Sequence, residues 1–155
     1  SALRNFVLVL FSTLLISACS TAKKAKVDTV DDVYTGTDTV EYLAKGVPDR
    51  VFFATNKSKL TTKSRDTLRK QATWLRKNKD LTVTVEGHAD ERGTREYNLA
   101  LGERRANAAK DYLMTYGVSG KRITVISYGK EKPVNPASSP LAWSQNRRSV
   151  TVKTN

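Results

Sequence analysis

The stretch "GHADERGTREYNLALGERRA", residues 87–106, holds eight charged side chains and the chain's single histidine in twenty positions. Several chemistries use such residues. A zinc site with three protein ligands needs more than His88 and Asp90, and the chain has one histidine and one cysteine, so no metal is expected. Glu86, Asp90, Glu91 and Glu96 are the carboxylates an acid/base pair would need. The basic residues around them keep them ionised, and a chain of this size shows no sign of a substrate-length cleft. A Ser/His/Asp relay fails too, because no nucleophile elbow accompanies His88. That histidine reads as a strand-end side chain hydrogen-bonded to a loop carbonyl. No cofactor is expected.

Binding uses the same charges differently. Asp90 is an anion on a loop, and Arg105 follows fifteen residues later. An ammonium suits Asp90, and a carboxylate suits the planar fork of Arg105. A zwitterionic amino-acid group would suit both. Arg105 lies roughly 15 Å along its helix, so it meets the loop only if that helix folds against the end of the preceding strand. Spacing alone leaves this reading level with an ordinary surface ion pair of Arg105, for example with Asp111.

The elements that must position these residues can be read from period and punctuation. Residues 50–54, "RVFFA", are β-branched and aromatic, as in a short buried strand. A helix follows over about 62–78, with Leu68, Ala72 and Leu75 on its inner face and Leu60 as a staple before it. "LTVTVEGH", 81–88, alternates as a strand with Leu81, Val83 and Val85 on one side. A second helix spans about 95–116, its buried stripe read as Leu101, Ala108, Ala109, Tyr112 and Leu113, with Gly117 as its C′ residue. "RITVISYG", 122–129, is a strand. Ser139 and Pro140 open a short helix as N-cap and N1, and "RSVTVKT", 148–154, is the last strand. The order β-α-β-α-β-(short α)-β predicts an α/β (α+β) two-layer sandwich. Its four-stranded mixed sheet carries both main helices on one face.

The chain has 155 residues, a net charge of +12 and a pI near 10. Charge alone points to an acidic partner, but the N-terminus redirects that reading. Arg4 precedes an uncharged, mostly apolar run from Phe6 to Ala18, short for a membrane span and suited to a secretory signal. It ends in Leu15-Ile16-Ser17-Ala18-Cys19, which resembles a bacterial lipobox. That resemblance implies a signal peptide over 1–18, lipidation (palmitate) of Cys19, and, with Ser20 next, the outer membrane. Residues 19–46 read as a flexible tether, with one or two helical turns over 39–45, and 47–155 as one domain. Secretion makes nucleic acid an unsuitable target and an anionic wall polymer or membrane surface a better one. The single cysteine allows no intrachain disulfide.

Residues 83–113 carry Gly87-His88-x-Asp90-x-x-Gly93, then Tyr97-Asn98, then Arg104-Arg105-Ala106. Farther on come "SYGKEKP" at 127–133 and "NRR" at 146–148. Over about residues 47–153 this sequence resembles the OmpA-like C-terminal domain family, and within it the lipid-anchored members. The resemblance implies a noncatalytic domain that holds peptidoglycan by the diaminopimelate of its stem peptides. It implies that Asp90 receives the ligand's ammonium and Arg105 its carboxylate. Asn98 and Leu101 would shape the pocket, with Thr94 near its rim and Arg147 beside it. The first-strand segment, Phe53 to Asn56, would also line the site, although Asn56 stands where the family commonly has aspartate. Partners implied are TolB and the other Tol proteins of the periplasm, in envelope integrity and cell division (cell cycle). The competing class is a small peptidoglycan hydrolase or amidase using the same carboxylates.

Overall fold

Thr61 starts the first long helix: its hydroxyl accepts the Ser64 amide at 3.0 Å, and α1 runs Thr62–Lys77. A computed structural model describes residues 32–155. The expected signal segment and Cys19 lie outside the described residues. Before α1 come the short strands β1 (Tyr42–Ala44), β2 (Val47–Pro48) and β3 (Arg50–Phe52). After it come β4 (Val83–His88), α2 (Arg95–Thr115), β5 (Ile123–Gly129), α3 (Pro140–Asn146) and β6 (Arg148–Lys153). β1 and β2 form a hairpin of their own; the other strands make one four-stranded sheet in the order β3-β6-β4-β5.

That sheet is mixed, as the pattern predicts. β4 and β5 are parallel, in register from Val83 opposite Ile123, and α2 is their crossover. β6 is antiparallel to both β3 and β4 and fills the space between them. α2 packs on β4 and β5, and α1 on β3. Leu68, Ala72 and Leu75 from α1 meet Val83 and Val85 from β4 and Ala106, Ala109 and Leu113 from α2 in one buried cluster. The α2 stripe is shifted from the expected one: Ala108 and Tyr112 are half-buried, while Arg105 and Ala106 face inward. A buried arginine hides such a stripe from any count of apolar residues. Gly117, at φ +88°, ends the helix, and the Val118 amide returns to Leu113 O at 3.2 Å, the expected left-handed stop.

Two expectations before the domain change. Residues 39–45 are not helical, since β1 pairs with β2 around Gly46 at φ +74°. The Asp49 amide donates to Glu41 O at 2.9 Å, and the Glu41 amide to the Asp49 carboxylate at 3.2 Å. So few residues make no stable helix by themselves, and the hairpin gives their backbone groups partners. From Asp32 onward the segment assigned to the tether also lies on the domain. The Tyr34 ring meets Phe52 edge-on at 4.9 Å, and Lys63 Nζ donates to Thr35 O at 2.8 Å. Gln71, fully buried on α1, fastens the hairpin to the sheet: its amide donates to Pro48 O at 2.9 Å, and the Thr151 hydroxyl donates to it at 2.7 Å.

α2 lies on β4 backbone to backbone. A Cβ added at Gly87 would sit 1.7 Å from Gly102 O, and one at Gly102 would sit 2.3 Å from Ser127 Oγ. Neither position can hold a side chain unless the helix moves off the strand. Gly87→Ala is therefore expected to destabilise the domain by at least about 2 kcal/mol, as overpacking does. Denaturant unfolding measures it. An unchanged midpoint would show that the helix can shift freely.

Candidate functional site

The loop Ala89–Thr94 leaves the C-terminal end of β4 and enters α2, where the Thr94 hydroxyl accepts the Tyr97 amide at 3.2 Å as N-cap. The close approach of Gly102 to Gly87 brings the next turn of α2 to the end of the sheet. Arg105 reaches that end and is 0% exposed. Its Nε donates to Lys57 O at 2.9 Å, Nη1 to His88 O at 2.9 Å and Nη2 to Ala54 O at 3.1 Å. The guanidinium lies 5.4 Å from the Phe53 ring centroid. Of its five N–H groups, two have no partner among the described residues. Burial, together with nearby Arg147, lowers the Arg105 pKa to about 10, so it is still a cation at neutral pH.

Asp90 is buried in the same region and accepts four hydrogen bonds. The Arg92 amide and Nε reach Oδ1 at 3.0 and 3.1 Å, and Arg92 Nη2 and Arg147 Nη1 reach Oδ2 at 2.8 and 3.2 Å. Burial opposes the charge of Asp90, but the bonds from Arg92 and Arg147 outweigh it and hold its pKa below the ordinary carboxylate value. The two arginines differ in freedom. Arg147 is buried, with Nε on Phe53 O at 2.9 Å; the Arg92 side chain is 41% exposed and stacks 4.2 Å from the Trp143 ring centroid. Arg92 is the more exposed of the two.

Between Asp90 and Arg105 opens a cavity of about 320 Å³, lined also by Asn56, Arg92, Tyr97, Asn98 and Leu101. Asn98 Nδ2 donates to Arg92 O and Thr94 O, both at 2.9 Å, and so fixes the loop that carries Asp90. Asn56 takes φ +56° in the turn after β3, a conformation that asparagine tolerates better than most residues. Thus Asp90, Arg105, Asn98, Leu101 and Asn56 come together as walls of one space. Thr94, Phe53 and Arg147 are not on its wall: Thr94 caps α2, Phe53 lies under Arg105, and Arg147 holds Asp90 from behind. The surface ion pair considered for Arg105 does not form.

Arg92, Tyr97 and Thr55 line the cavity without having been singled out. Arg92 has a readable signal, since an aspartate two residues before it invites the Asx turn that its amide closes. Tyr97 is readable as well, one turn before Leu101 on the face that leads to Arg105. Thr55 has none. His88 departs from expectation: its Nε2 pairs with Glu86 Oε1 at 3.1 Å, and its ring stacks on Tyr128 at 5.4 Å. Burial lowers its pKa against the pull of Glu86, so the ring is neutral. Only its backbone carbonyl serves the site, as an acceptor for Arg105.

A buried carboxylate and a buried guanidinium thus line one small cavity, opposite charges that complement a group carrying both. The chain is 43% identical over 154 residues to the peptidoglycan-associated lipoprotein of Mesorhizobium japonicum, covering 96% of this chain and 92% of that one. It is 57% identical over 106 residues to the protein of the same name from Rhizobium meliloti, covering 68% of this chain and 60% of that relative's length. The crystal structure of the Burkholderia pseudomallei peptidoglycan-associated lipoprotein superposes with a TM-score of 0.67 at 35% identity, over 68% of this chain and 90% of that one. The C-terminal domain of Helicobacter pylori MotB shares the fold, with a TM-score of 0.65 at 21% identity, over 69% of this chain and 84% of that one. The OmpA family model matches residues 52–147, which include every wall of the cavity, and the chain belongs to the OmpA family.

Proposed function

We propose that this domain binds peptidoglycan noncovalently by the zwitterionic end of a diaminopimelate side chain in the stem peptide. One observation carries the reading: Asp90 and Arg105, fifteen residues apart in sequence, are both buried and line one cavity. The ligand's ammonium takes the place of Arg92 on Asp90, and its carboxylate takes the two remaining N–H groups of Arg105. Arg92 yields because it is the exposed partner, and water can solvate its guanidinium once the ammonium has taken its place. Arg105 does not move, since three carbonyls hold it. Its remaining donors are therefore already oriented when the ligand arrives, which lowers the ordering cost of binding.

Nothing in this arrangement requires a bond to break, and the domain acts as a grip and not as a hydrolase. The names of the similar proteins support both halves of the reading, peptidoglycan and lipoprotein. With acyl chains on Cys19, the chain would be anchored to the outer membrane facing the periplasm and would link that membrane to the wall. The family resemblance extends this to TolB and the Tol system, and through them to envelope constriction at division.

The purified protein is expected to sediment with diaminopimelate-type sacculi and to be released by free diaminopimelate. Asp90→Ala should weaken binding about 10- to 100-fold, the range for losing a hydrogen-bonded charge. Retention like the parent's would remove Asp90 from the site. Incubation with dye-labelled sacculi should release no dye, and measurable release would establish a hydrolase.

Binding should also be nearly flat from pH 8 down to about pH 5. Asp90 is ionised and Arg105 protonated across that window, because the pKa of Asp90 is depressed and that of Arg105 is about 10. The stability linked to Asp90 has the same sign: it is complete above the unfolded carboxyl's pKa and lost as pH falls through the lower folded value. A binding midpoint near pH 6 to 7 in a sacculus titration would instead assign the grip to a group other than these two.

A further inference from the structure

Asp32 lies before the hairpin and outside the 52–147 family match, yet it touches the site. The Thr55 amide donates to its Oδ1 at 3.0 Å, and the Thr55 hydroxyl donates to its Oδ2. Arg147 Nη2 pairs with Oδ2 at 3.3 Å and also donates to the Asp32 backbone carbonyl. Thr55 in turn accepts from Arg92 Nη2 at 3.2 Å. Asp32, Thr55, Arg92, Asp90 and Arg147 therefore close a ring of polar contacts. Four chain segments contribute, and two aspartates alternate with two arginines.

We infer that Asp32 is a positioning residue of the diaminopimelate site, supplied by the segment that precedes the domain; the inference rests on the function proposed above. Its effect follows from how Arg147 is shared. Arg147 offers one Nη to Asp90 and the other to Asp32. Without the Asp32 carboxylate, Nη2 keeps the backbone carbonyl of residue 32, but its other N–H is released to fork onto Asp90 beside Nη1, the geometry arginine prefers with carboxylates. A buried guanidinium held in that way would occupy acceptors that the ligand's ammonium needs, and unlike Arg92 it could not swing out to solvent. Asp32 also supplies the second negative charge of the ring. Its loss leaves Arg92, Arg105 and Arg147 around a single carboxylate, a poorer place for a cation. Both effects weaken ammonium binding. Neither touches the fold, because the Asp32 side chain is 46% exposed.

The test compares the whole chain with its Asp32→Ala, Asp32→Asn and Asp90→Ala variants, titrated with free diaminopimelate. Asp32→Ala should bind about 3- to 10-fold more weakly, as expected for one partly exposed charge contact. Asp32→Asn should lie between it and the parent, since asparagine keeps the acceptor for the Thr55 amide and lacks the charge that draws Arg147 away. A second readout needs no ligand. The Asp90 carboxyl, followed by carbon NMR through an acid titration, should protonate at lower pH in Asp32→Ala than in the parent. A merely structural Asp32 would leave that titration in place. Parent-like affinity in Asp32→Ala beside lost affinity in Asp90→Ala overturns the role of Asp32 and keeps the pocket. Parent-like affinity in Asp90→Ala overturns the pocket, and the role of Asp32 with it.

Discussion

The site and the fold at its end depend on one buried guanidinium. Arg105 ties α2 to the turn after β3 through Ala54 and Lys57 and to the end of β4 through His88. A cation taken out of water is costly unless its N–H groups find acceptors. Three backbone carbonyls at a strand end and in the turn after β3 meet that need, and that of Ala54 also accepts the Lys57 amide at 3.1 Å. The same bonds that make burial tolerable also fix the orientation of the guanidinium plane. A lysine could not reproduce this, because a single ammonium cannot reach three separated carbonyls and still present a planar pair of donors. Three N–H groups of one side chain thus hold the fold, and two are left without a partner among the described residues.

Asp90 is held by the opposite logic. Arg105 is rigid through neutral carbonyls, whereas Asp90 is surrounded by cations of unequal mobility. Arg147 is buried and bonded on every side; Arg92 is half in solvent, against Trp143. Trp143 is itself steadied by a 2.8 Å bond from its Nε1 to Glu91. The carboxylate is thereby satisfied largely by a side chain that is itself half exposed. This avoids the cost of an unpaired buried charge without closing the cavity permanently.

Most of this frame was legible in the residues. Strand alternation in 83–88, the caps at Ser139 and Gly117, and the β-α-β-α-β order all follow local chemistry, and the structure has them. The site was legible in part. Asn98, Leu101 and Arg105 fall at helical spacing on one face of α2, but spacing left Arg105 level between a surface pair and a ligand contact. Its inward turn depends on Gly87 meeting Gly102, a contact across fifteen residues that no local pattern displays. The hairpin at 42–48 was missed because it is closed by Glu41 and Asp49, through one bond between backbone groups and one from the Glu41 amide to the Asp49 carboxylate, which no period of apolar residues marks. Thr55 and Asp32 were missed for a related reason, since their roles arise from proximity and not from residue type.

The surplus charge of the chain sits elsewhere. Between Lys57 and Lys79 there are nine basic residues and one acidic residue, Asp66, and most of them lie on the outer side of α1. Near Asp90, by contrast, two aspartates face two arginines in the ring, so the grip is close to neutral apart from Arg105. The surplus charge and the cavity are therefore separate in space. Short charge-assisted bonds inside the cavity are weakly screened, whereas the field of an exposed basic helix falls off within about 8 Å at physiological ionic strength. Under the proposed function, salt should act mainly on encounter with an anionic wall and little on the bonds made once the ligand is seated. The strong basicity that first suggested an acidic partner thus lies mostly on α1 and not around the cavity between Asp90 and Arg105.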